Sequence, residues 1–84
     1  MNKLKDYRKK IDLIDKKIVK LLLLRLDLVK KIGKYKKKNK IEITDKKREM
    51  QVLSNTKKLG GLHQKFVADI FKNIVNFSKR MQKR

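Results

Sequence analysis

Apolar residues at Leu4, Tyr7, Ile11, Ile14, Ile18 and Leu21, resumed by Leu28, Ile32 and Tyr35, fall alternately three and four positions apart, the spacing of a single helical seam. No proline breaks the run, because the chain contains none. A helix from about Leu4 to Lys38 is about 50 Å long at 1.5 Å per residue, too long to fold back within an 84-residue chain. The chain is 39% hydrophobic and 42% charged, and alone it would bury only about 60% of its unfolded surface. Pairing with a second copy is therefore expected.

Turn signals are sparse. Gly33, Gly60 and Gly61 are the only glycines, so few joints and long helices follow, and the predicted class is all-α. Lys37 to Ile43 loses helical period and reads as a loop with Asn39 as its turn residue. Thr44 or Asp45 can cap a second helix whose apolar side is Met50, Val52, Leu53 and Leu59, ended by Gly60-Gly61. A third helix is predicted from about Leu62 to the C-terminus, with a stripe running from Phe66, Val67, Ile70 and Phe71 to Phe77 and Met81. No repeat or linker divides residues 1–84, which read as one three-helix domain.

Several polar residues fall on or beside these apolar faces. Arg25 stands in the seam register of Leu4, Ile11, Ile18 and Ile32, and a neighbouring column reads Arg8, Asp15, Leu22, Val29, Lys36. Arg25 and Lys36 are separated by about 16 Å of rise and about 20° of rotation, so their long side chains can share a pocket. Arg8 lies about 25 Å from Arg25 along the same helix and cannot reach that pocket in its own chain. If two copies cross antiparallel near Leu22, Arg8 of one lands near Lys36 of the other, and two-fold symmetry makes two such sites. Ser78 and Gln82 form an i,i+4 pair interrupting the third stripe and are expected to face the interior. Arg48 and Glu49 open the second helix.

Cations with an amide and a hydroxyl suit a small molecule carrying more than one carboxylate, since guanidinium forks bind carboxylates bidentately. Each residue also has a plainer role. Arg25 could be a snorkelling or intersubunit-paired cation, Lys36 part of a solvated basic face, Arg48-Glu49 surface charge at a helix start, and Ser78 bonded to its own i−4 carbonyl. With no Cys and one His, His63, a metal site is not expected, and His63 is assigned no role. There is no Ser-His-Asp spacing or Gly-rich phosphate loop, so any catalysis would rest on orientation and electrostatics.

The stretch YRKKIDLIDKKIVKLLLLRLDLVKKIGKYK, then TDKKRE, then IFKNIVNFSKRMQ, resembles the all-helical class of chorismate mutase over nearly the whole chain. The composite is an Arg before I-x-x-I-D, an Arg after a Leu-rich turn, I-G-x-x-K, an R-E pair opening helix two, and S-x-x-x-Q in helix three. The resemblance implies an intertwined homodimer of three-helix subunits with shared active sites that turn chorismate into prephenate, without cofactor or covalent intermediate. It implies Arg8 as the partner-supplied cation, Arg25 and Arg48 on the carboxylates, and Lys36 and Gln82 on the ether oxygen. Glu49, with the region of Asp45, would hold the ring hydroxyl, and Ser78 would assist a carboxylate. The loop from Lys37 to Ile43 departs from the pattern in being Lys-rich and lacking a proline. No fused second enzyme or feedback segment is expected in these residues, so regulation would need a separate partner.

Three other readings compete. An isochorismate-pyruvate lyase would share the fold and the anion pocket. The net charge of +19 is a nucleic-acid footprint, but with no recognition motif and 6% aromatics, binding at most non-specific is expected. A basic amphipathic helix could lie on a membrane, although the seam suits another helix better. The first ten residues lack an apolar core, and the run Leu21 to Leu24 is far short of a span, so a cytoplasmic protein is the expectation.

Overall fold

The computed structural model describes residues 2–84, leaving Met1 of the expected 1–84 domain outside. Three α-helices follow in order: α1 (Lys3–Lys38), α2 (Lys46–Leu59) and α3 (Gln64–Lys83), the last preceded by a 3₁₀ turn over Gly61–His63. The described residues contain no strand. The all-α, three-helix architecture with a long first helix is the one that the sequence predicts.

Local chemistry sets the joints. Asn2 caps α1, its side chain accepting from the Lys5 N–H at 3.2 Å. The α1 C-terminus closes with a Schellman pair, in which Ile41 N–H donates to the Lys36 carbonyl at 2.8 Å and Lys40 N–H to that of Lys37 at 3.4 Å. Asn39, the predicted turn residue, is the cap and bonds the Tyr35 carbonyl through its amide at 2.9 Å. The left-handed position is filled by Lys40, φ 54°. Of the two candidates for the α2 cap, Asp45 is used, accepting from Arg48 N–H at 3.0 Å. Gly60 caps the end of α2, and Gly61, with φ 54°, turns the chain into the 3₁₀ segment. Helix three therefore begins at Gln64 rather than Leu62, because Gly61–His63 is spent on that tighter turn.

Helix α3 packs against both α1 and α2. Its crossing with α1 is close: a Cβ built on Gly33 would lie 2.8 Å from the Gln82 carbonyl oxygen and 2.9 Å from its Cα. Val29 and Gly33 on α1 are buried there, as are Val75 and Ser78 on α3. Val29 and Val75 are the only buried hydrophobic residues among those described. The seam is bare, with Leu4, Tyr7, Ile11, Ile14, Ile18, Leu21, Leu28, Ile32 and Tyr35 all exposed, in a molecule 60 Å long and 14 Å across its thinnest axis. On α2 the expected apolar side is corrected: Val52 and Leu53 are half-buried, but Met50 and Leu59 are exposed because α3 covers only part of that face.

Gly33→Ala tests the crossing. The new methyl meets backbone rather than a yielding side chain, so stability should fall by about 1–2 kcal/mol despite alanine's better helix propensity, measured by urea unfolding. Unchanged or higher stability would contradict the close approach.

Candidate functional site

A cavity of about 360 Å³ opens where the three helices meet, within the range of small-molecule sites. From α1 it is lined by Arg25, Val29 and Lys36; from the α2 start by Asp45, Arg48 and Glu49; and from α3 by Val75, Ser78, Lys79 and Gln82. The α3 residues are spaced i, i+3, i+4, i+7, one helical face. Seven of the eight residues singled out in the sequence line this cavity. The eighth, Arg8, does not: it is exposed near the far end of α1, beside Asn2, Lys5 and Asp12.

Each wall residue is held locally. Arg25 Nη1 donates to the Ser78 hydroxyl, which itself donates to the Ile74 carbonyl at 2.7 Å. Ser78 thus satisfies its own helix and also orients the guanidinium. Lys36 Nζ donates to the Ile43 carbonyl at 3.0 Å, tying it to the loop that its own carbonyl anchors through Ile41. Asp45 spends one oxygen on the cap. Lys79 Nζ stands 3.1 Å from Glu49 Oε1, joining α3 to α2. Gln82 is half-buried, and its Oε1 is buried with no hydrogen-bond partner among the described residues, an exception to the usual pairing of buried polar groups.

The electrostatics favour an anion. Partial burial, and then the like charge of Arg48, hold the Arg25 guanidinium below its ordinary pKa. A guanidinium stays charged at neutral pH, and a bound carboxylate would offset the repulsion from Arg48. Four cations (Arg25, Lys36, Arg48, Lys79) face two carboxylates (Asp45, Glu49), leaving an excess of two positive charges. No cluster of three or more metal-ligating side chains occurs among the described residues. No described helix is long and apolar enough to cross a membrane.

Two features escaped the sequence reading. Lys79 was signalled only by its place three residues before Gln82, and in a chain with 27 Lys and Arg one more lysine carries little information. Gly33 was part of the I-G-x-x-K motif, but its role as the contact point for the Gln82 backbone is visible only in three dimensions.

The family model for chorismate mutase type II matches residues 7–83, a span that includes every wall residue named above. The chain belongs to that family. It is 35% identical to a chorismate mutase of Methanocaldococcus jannaschii over 99% of this chain and 87% of that protein. It is also similar to two bifunctional chorismate mutase/prephenate dehydratases. The Buchnera aphidicola protein is 38% identical over 99% of this chain and 22% of its own length. For that of Aquifex aeolicus the figures are 32%, 100% and 25%. No solved structure matches with comparable significance.

Because Arg25 is half-buried among other cations, Arg25→Met should leave the melting temperature unchanged or raise it while removing affinity for a chorismate-like dicarboxylate by at least tenfold, read by calorimetric titration. A marked loss of stability with affinity retained would contradict the assignment of Arg25 to ligand binding.

Proposed function

We propose that this chain is a chorismate mutase whose two sites are each completed by Arg8 of a second copy, acting in the cytoplasm as one domain with no cofactor. The observation that carries the reading is the convergence of Arg25, Arg48, Lys36 and Gln82 on one cavity with a positive excess in a chain that the chorismate mutase model matches over residues 7–83.

The reaction breaks the ether C–O bond and forms a C–C bond in one pericyclic step, so no nucleophile or proton carrier is needed. What the protein supplies is conformation and charge. Arg25, oriented by Ser78, and Arg48 bind the two carboxylates and hold the molecule folded so that the bonding carbons meet. Glu49, with Asp45 nearby, accepts the ring hydroxyl. Lys36 from α1 and Gln82 from α3 donate to the ether oxygen, where negative charge grows in the transition state. Gln82 lines the cavity, and this role requires its amide to be turned so that the N–H₂ group, not Oε1, faces the ether oxygen.

The second copy is supported by the bare seam. The nine large apolar side chains of the α1 seam are 46–64% exposed, more contiguous apolar surface than a lone soluble chain ordinarily shows. A largely apolar groove of about 300 Å³, lined mainly by Leu22, Leu23, Leu26, Ile74 and Phe77, shares Arg25 and Ser78 with the cavity. A partner α1 seated antiparallel along the seam covers Leu28 and Ile32, which line the cavity, and delivers its Arg8 there. Nucleic-acid binding, where measured, is expected to be non-specific and salt-sensitive.

Incubation with chorismate should yield prephenate, and with isochorismate no salicylate and pyruvate; the opposite pattern would make the protein a lyase. Gln82→Ala should lower kcat by about 10²–10³. Since a glutamine carries no titrating proton, wild-type turnover should persist at mildly alkaline pH, and a steep loss between pH 6 and 8 would count against Gln82 as the donor. Mixing inactive Arg8→Ala and Gln82→Ala chains should restore activity, because a mixed dimer collects both defects in one pocket and leaves the other whole. No recovery despite demonstrated subunit exchange would refute site sharing.

A further inference from the structure

Lys79 is the pocket cation to which neither the carboxylates nor the ether oxygen assigns a task. Its stem leaves α3 between Val75 and Gln82, and its ammonium reaches 3.1 Å from Glu49 on α2. The two side chains are 33% and 21% exposed, whereas Lys31–Asp27, the other ion pair among the described residues, is an i,i+4 surface contact at 70% and 64%. An exposed pair of that kind contributes little. A sheltered one at the mouth of a polyvalent site decides which cation a carboxylate takes.

The choice open to Glu49 is a real one. It follows Arg48 directly on α2, and Arg25 is near enough to Arg48 for the two charges to repel. A guanidinium fork is a stronger carboxylate partner than an ammonium. Released from Lys79, Glu49 would have Arg25 and Arg48 within its own pocket, and an internal pair there would occupy the forks that the substrate carboxylates require. Loss of the ammonium would also reduce the cavity's positive excess from two to one.

We propose that Lys79 is a positioning residue: by holding Glu49 toward α3 it keeps that carboxylate off Arg25 and Arg48 and aimed at the substrate hydroxyl. The proposal rests on the assignment of Glu49 as hydroxyl acceptor. Lys79 acts through Glu49 and makes no substrate contact of its own.

The test is steady-state kinetics with chorismate on the wild type, Lys79→Met, Lys79→Arg, Glu49→Gln and the double variant Glu49→Gln/Lys79→Met, with melting temperatures alongside. Lys79→Met should raise KM about tenfold, equivalent to about 1.4 kcal/mol, with a smaller fall in kcat and little change in melting temperature. Lys79→Arg should recover most of the loss. In the Glu49→Gln background, where no carboxylate remains to be misdirected, the Lys79→Met change should leave KM nearly unmoved. An equal rise in KM in both backgrounds would mean direct substrate contact and overturn the proposal. So would a lowered melting temperature with KM unchanged, the mark of a purely structural pair. Both outcomes presuppose an active wild type; wild-type inactivity toward chorismate would instead sink the functional reading, and this proposal with it.

Discussion

The close crossing of α1 and α3 at Gly33 is the contact on which the site depends. Because that position lacks a Cβ, the backbone of Gln82 can sit against α1, and the same crossing buries Val29 against Val75 and Ser78. Arg25, two turns before Gly33, is thereby brought to the Ser78 hydroxyl, and Lys36, just after it, lines the same cavity as Gln82. A side chain of ordinary size at this position would push the Gln82 backbone away from α1, and with it the two groups proposed to meet the ether oxygen. The geometry of catalysis and the packing of the helices are one constraint.

The same structure accounts for why so little of the chain is buried. Only the C-terminal half of α1 meets α3, while the N-terminal half projects with its seam exposed. In the proposed dimer this projecting arm is both the hydrophobic contact and the carrier of Arg8. The energy that assembles the pair and the cation that completes the pocket come from one helix, so an assembled dimer has complete sites and a separated chain does not. The large positive charge is compatible with this arrangement because, Arg25 apart, the seam positions of α1 carry no charge.

Much of this was legible in the chain. The three–four spacing of α1, the Asp45 cap and the Gly60-Gly61 joint follow from local chemistry, which tertiary context had no reason to override. The facing of Ser78 and Gln82 followed from helical arithmetic on an otherwise apolar stripe. Other features were not legible, for identifiable reasons. Met50 and Leu59 look like core positions on α2, but α3 covers only part of that face, and Val52 and Leu53 are the ones half-buried. Asn39 has the chemistry for a left-handed turn residue, yet the Schellman geometry puts Lys40 there. Lys79 was hidden by the lysine-rich background, since only its distance to Glu49 separates it from a solvated surface charge.

The central claim is that a working site belongs to two chains. Sedimentation across a dilution series, with turnover per chain measured at the same concentrations, tests it most directly. The account predicts a species of twice the 10.1 kDa chain mass wherever the protein is active, and activity per chain that falls in step with dissociation. A folded monomer retaining full turnover of chorismate would contradict it.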